Sequence, residues 1–137
     1  MCSSDLRVMR DAIGRVAELV PSDPAIVGRL SYLNLLLNEK PAAQRDILER
    51  LGTAHPTNST IRLTRALAEL KTGNAAAALN LLEQEPIDWD KAEPRWLAVY
   101  VSVLVANEQR EAARQMARKL RPEALKVPER DLVRGFL

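Results

Sequence analysis

Three stretches of this chain share one spacing: a turn residue, an alanine five positions on, and a large apolar residue four further on. The sets are Asn38–Ala43–Ile47, Gly73–Ala78–Leu82 and Asn107–Ala112–Met116. Ala12 and Val16 form the tail of an earlier set, so the alanines step by 31, 35 and 34 residues. A period near ~34 residues belongs to helix–turn–helix solenoids. It restricts the fold to helix pairs stacked in a row, and it points to a binding scaffold rather than an enzyme.

Local chemistry agrees with that reading. A very short turn between helices needs one residue in the left-handed region, where Gly and Asn sit at little cost. Asn38, Gly73 and Asn107 stand at those places. An alanine five residues on lets the paired helices approach closely, and the apolar residue one turn later fills the groove between them. Ser31 and Ala66 supply small residues from the other helix; Tyr100 departs from this in the third unit. Apolar periodicity, with Pro and capping residues as breaks, predicts helices over residues 6–20, 24–37, 41–51, 61–71, 75–84, 94–106, 109–120 and 129–137. Asp23 is an N-cap with Pro24 at the first helical position. Leu6, Met9, Ile13, Val16 and Val20 are expected to form the inner stripe of the first helix.

Composition fits an all-α domain: Leu and Ala dominate, and aromatic residues are only 4% of the 137. The net charge of +2 is too small to argue for nucleic acid. The lone cysteine, Cys2, excludes an internal disulfide. The longest apolar run, residues 96–106, is well short of the ~20 residues that span a bilayer.

The chain carries no catalytic constellation and no cofactor motif. His55 is the only histidine and sits in a turn before Pro56; one His does not make a metal site without neighbouring ligands. Asp88, Asp90 and Glu93 lack the glycine and ligand spacing of a calcium loop. Trp96 is expected in the core, with Trp89 and Ile87 covering the junction of the second and third units. An exposed anchor for a partner is the other reading of Trp89. Arg110, Arg114, Arg118 and Arg121 step along one face of the seventh helix. That row is read as a solvated outer face, with contact to an acidic protein or RNA as its functional alternative.

The pattern resembles the tetratricopeptide repeat (TPR) family, in its bacterial forms. The best match runs from Pro56-Thr57-Asn58 to Leu82, above all in Lys71-Thr72-Gly73-Asn74-Ala75-Ala76-Ala77-Ala78-Leu79. Trp96, sixteen residues before Ala112, matches the Trp of the family's first helix. Val27 holds that place in the first unit and the charged Arg62 departs from it. Asp23-Pro24 matches the Asp-Pro that closes a unit. The resemblance covers about residues 6–120, and Sel1-like or HEAT-like repeats share much of it. It implies a right-handed α-solenoid of antiparallel helix pairs, with about three and a half repeats and a C-terminal capping helix. Leu132, Val133 and Phe136 of that last helix would close the open end of the solenoid.

The resemblance also implies function. In such arrays the first helices of each pair line a concave groove, here with Arg29, Tyr32, Arg62, Thr64, Arg65 and Lys71 as exposed positions. This is a mildly basic channel suited to an extended acidic peptide. The Lys and Asn pattern with which chaperone-binding TPR domains clamp a terminal carboxylate is not on these helices. A non-catalytic protein-interaction scaffold is therefore expected. The alternatives are an RNA-binding repeat using the arginine row, and an accessory domain of a protein whose catalytic part lies upstream.

The amino-terminal end is unusual. Met1-Cys2-Ser3-Ser4-Asp5-Leu6 resembles the translation of a common sequencing adapter; a mature lipoprotein end is the rival reading, against which Met1 argues. Five residues before Ala12 stands Arg7 rather than Gly or Asn, so the set fails where the adapter-like residues begin. The expected layout is a non-native or disordered end at 1–6, a repeat domain at 7–121 and a capping segment at 122–137. The chain is then the C-terminal part of a longer protein, and its half repeat makes the first helix the least stable.

Overall fold

The computed structural model describes residues 3–134, and among them every regular element is helical. The order is α1 Ser3–Leu19, α2 Pro24–Leu36, α3 Pro41–Ala54, α4 Ser59–Lys71, α5 Ala75–Glu83, α6 Pro94–Ala106, α7 Arg110–Ala117, a 3₁₀ turn Pro122–Ala124 and α8 Val127–Leu132. Met1, Cys2 and the inward placement expected of Phe136 lie outside the described residues. Ser3–Leu6 belong to α1, and Leu6 is fully buried.

Helix starts follow from capping chemistry. The Asp23 carboxylate accepts from the backbone N–H groups of Ala25 and Ile26, and Pro24 opens α2. The Asn58 side chain accepts from the Ile61 N–H at the start of α4. Pro94 opens α6 after Glu93. The helices α2, α4 and α6 are each 13 residues long and begin 35 residues apart.

The turns after these three helices are the same structure. The N–H of Asn38, Gly73 and Glu108 donates to Leu35, Leu70 and Val105, and the next N–H donates to Asn34, Glu69 and Leu104 at 2.8–2.9 Å. This double bond pattern is the Schellman motif, whose central residue is left-handed. Asn38, Gly73 and Glu108 accordingly have φ of 56°, 84° and 61°.

That geometry corrects the spacing read from sequence. In the third unit Glu108, not Asn107, takes the left-handed place. In the first, Lys40 is also left-handed at φ 47°, which lengthens the turn by a residue. The buried place on the second helix is therefore held by Gln44, Ala78 and Ala113, while Ala43 is exposed and Ala112 half-buried. One turn on, Leu48 and Leu82 are buried; Ile47, Met116 and Ala117 are half-buried. Asn107 acts through its side chain instead: Nδ2 donates to the carbonyls of Ala75 and Val103, joining α6 to the start of α5. The same register puts Ile26, Ile61 and Trp96 at one place, so Arg62 is not the counterpart of Trp96.

Each of the first six helices packs on the next, and the even helices also pack in the order α2–α4–α6–α8. This is a helical-repeat arrangement with two adjoining apolar clusters. One holds Leu6, Leu33, Leu48, Leu67, Leu82, Trp96 and Val103; the other holds Leu97, Val101, Leu104, Ala113, Leu125 and Val133. Trp89 stacks on Tyr100, with centroids 4.2 Å apart and planes 9° off parallel, and touches both clusters.

Both ends differ from expectation. On α1 the inner stripe is Leu6, Met9 and Ile13, while Val16 and Val20 are exposed. Helix α7 stops at Ala117 rather than at residue 120. Helix α8 starts earlier than residue 129, with Lys126 at its N-cap and the Glu129 carboxylate reaching back to accept from the Lys126 N–H. It does not simply close the end of the third pair. It lies against α6 and reaches back to α2, where Glu129 is 2% exposed and bonded to Tyr32.

Candidate functional site

The even helices share length and period, so their corresponding ends come together. At the N-terminal ends of α2, α4 and α6 they enclose a cavity of about 210 Å³. Its lining from α2 includes Gly28, Arg29 and Tyr32; from α4 and its N-cap, Asn58, Thr60 and Thr64; from α6, Arg95 and Trp96. Gly28 is buried on α2 with its open side toward Ile61, and a larger side chain would fill this space.

One side of the cavity is an aromatic–guanidinium stack. The Tyr32 and Trp96 rings meet edge to face at 5.2 Å, and the Arg95 guanidinium lies 4.8 Å from the first ring centroid and 4.4 Å from the second. Such cation–π contact holds a long side chain in place without using its hydrogen-bond donors. One donor is used: Arg95 Nε pairs with Glu93 at 2.6 Å. The N-terminal ends of three helices add partial positive charge on the same side, which favours an anionic group there.

Tyr32 sits where the cavity meets α8. Its hydroxyl donates to the Glu129 carboxylate. Burial, and then the hydrogen bond to that carboxylate, hold the phenol far above its usual pKa; Arg95 opposes this. Lys71, at the other end of α4, donates from Nζ to Asn38 Oδ1 at 2.9 Å. Burial lowers its pKa, and the charge of Asp131 on α8 works against that.

Of the six groove positions expected from sequence, the structure brings Arg29, Tyr32 and Thr64 to this cavity. Exposure was expected for all six, but Tyr32, Arg62 and Thr64 are buried at 2%, 6% and 1%. Thr64 turns its hydroxyl to the Thr60 carbonyl. Arg62 and Arg65 line a separate cavity of about 20 Å³ with Gly52, His55 and Gln84. There Arg62 pairs with Glu85 at 3.0 Å. The reason is helical periodicity: Arg62 and Arg65 each follow Ile61 and Thr64 by about 100° around α4, and Asn58 and Ile61 stand between the two cavities and line both.

Arg95 was not singled out by the sequence reading, although it shares its repeat place with Ala25 and Thr60 and directly precedes Trp96. The arginine row is shorter than expected. Arg110, Arg114, Arg118 and Arg121 are all exposed, but α7 ends before the last two, and Arg121 instead borders a hollow with Trp89, Asp90 and Lys119. Among the described residues no group of three or more His, Cys, Asp or Glu side chains is placed to hold a metal ion. No described helix is long and apolar enough to cross a membrane. Compared with protein-family models, with curated proteins and with solved structures, the chain matches none.

Proposed function

We propose that this chain is a TPR-like protein-interaction scaffold, a right-handed solenoid whose even helices line a concave groove for a carboxylate-bearing peptide. The observation that supports this reading most is the cavity at the start of α2, α4 and α6. Arg95 is held there over Tyr32 and Trp96, with Arg29 exposed beside it. A stacked guanidinium is pre-organised, so little side-chain entropy is lost when it meets a carboxylate. The aromatic rings and Gly28 provide an apolar floor for the rest of the peptide.

Calorimetric titration of the full chain with a panel of acidic peptides tests the proposal. Arg95→Ala is expected to weaken the best binder by about tenfold, the loss typical of one charge-assisted contact. Binding should also weaken as salt rises. Peptides that bind equally well to the wild type and to Arg95→Ala, or do not bind at all, would reject this site.

A further inference from the structure

We propose that residues 122–134 form a displaceable strap over the groove, and that a partner segment takes its place by putting a carboxylate where Glu129 now sits. The inference rests on the groove reading above and specifies its ligand: a short amphipathic segment with one carboxylate flanked by apolar side chains.

The strap has the features of a tethered ligand. It bridges helices far apart in the chain, since Glu129 meets Tyr32 on α2, Asp131 acts on Lys71 of α4, and α8 packs on α6. Its apolar residues Leu125 and Val133 are buried against α6, and Leu132 touches both apolar clusters. Tyr32 belongs both to the strap's seat and to the open cavity, so the two are continuous.

Its polar attachment is slight. Among the described residues, the bond from Tyr32 to Glu129 is the one hydrogen bond between residues 122–134 and the helices before them. Beyond the Ala124 N–H, which donates to the adjoining Arg121 carbonyl, the strap's other hydrogen bonds among the described residues are internal, including those from Lys126 to Glu129, Arg130 to Pro122 and Arg134 to Asp131. A segment with its own N-terminal Glu129–Lys126 bond and its own Arg134–Asp131 ion pair keeps these when it leaves. Its release therefore strands few polar groups, and a segment with the same face satisfies the seat. The tether gives the strap a high effective concentration, so an outside segment binds in proportion to the open fraction.

The test uses a fluorescent synthetic peptide copying residues 122–134, titrated into the full chain as wild type, Glu129→Ala and Glu129→Ala with Tyr32→Phe. Amide exchange of the wild type is followed in parallel. The variant Glu129→Ala weakens the resident strap alone and should bind the peptide at least tenfold tighter than wild type. Tyr32→Phe added to it should reverse most of that gain. In the wild type, the Val133 amide should exchange much faster than that of Val101 on α6. Equal binding by wild type and Glu129→Ala would overturn the strap. So would exchange of Val133 only at the rate of global unfolding, a result that does not depend on any variant folding. If the strap peptide fails while unrelated acidic peptides bind through Arg95, the strap is rejected and the groove stands; if nothing binds, both fall.

Discussion

Tyr32 and Glu129 are 97 residues apart in the chain, and the hydroxyl of the first donates to the carboxylate of the second inside the fold. The bond connects the second helix to the last and keeps a buried carboxylate supplied with donors. Removing the hydroxyl leaves Glu129 with the Lys126 N–H alone. Tyr32→Phe should therefore lower stability by about 1.5–3 kcal/mol, the range for a buried hydrogen bond to a charged group. Urea denaturation measures it. A change below about 0.5 kcal/mol would mean that water replaces the lost donor at no cost.

The same contact predicts an alkaline titration. The chain has two tyrosines, and both phenols are raised, Tyr32 by burial and Glu129, Tyr100 by burial and the charge of Glu83. A phenol raised in the fold but ordinary when unfolded contributes stability that is complete below about pH 10 and lost above it. Absorbance at the tyrosinate band should show no ionisation at the usual midpoint, and Tyr32 should ionise only as the fold opens. A full step of two tyrosines near pH 10 in the folded protein would contradict this.

How much of this was legible in the sequence depended on how local its cause was. The N-cap at Asp23 and the left-handed turns at Asn38 and Gly73 were read correctly, because each residue's own chemistry favours its role. Glu108 was not, since glutamate has no preference for a positive φ. The Schellman bonds impose it from outside, and Asn107 next to it was the more attractive candidate. The stepping of the even helices by 35 residues was blurred for the same reason. The family resemblance singled out Arg29, Tyr32 and Thr64, which line the cavity, yet Arg95 was passed over because a charge beside a tryptophan looks like ordinary surface. The seat of α8 was beyond reach, because it depends on contacts between residues some hundred positions apart.

Glu108 makes the turn chemistry measurable. It holds φ of 61° where Gly73 holds 84°. Glycine removes the steric penalty of that region, so Glu108→Gly should raise stability by up to about 1 kcal/mol, less the entropy glycine adds to the unfolded chain. Gly73→Ala should do the opposite by a similar amount, although a Cβ there would meet nothing within 4 Å. The space is open, so any loss comes from the backbone. Thermal unfolding of both variants decides it. Two shifts of the same sign would show that the turns do not share one energetics.

The first helix offers a contrast in stability within one domain. It packs chiefly on α2, whereas α4 packs on α2, α3, α5 and α6. Its outer face leaves Val8 70% and Leu19 82% exposed. Its polar attachment runs through Arg10, which pairs with Glu39 and donates to Asn34. In an array where each helix is stabilised mainly by its neighbours, a terminal helix with one principal neighbour opens before the middle ones. The Ile13 amide should therefore exchange faster than that of Leu67, which is fully buried. Arg10→Ala should widen the gap by speeding exchange in α1 while leaving α4 unchanged. Slower exchange at Ile13 than at Leu67, or a variant that speeds both equally, would show that α1 is bound into the same cooperative unit as the middle of the domain.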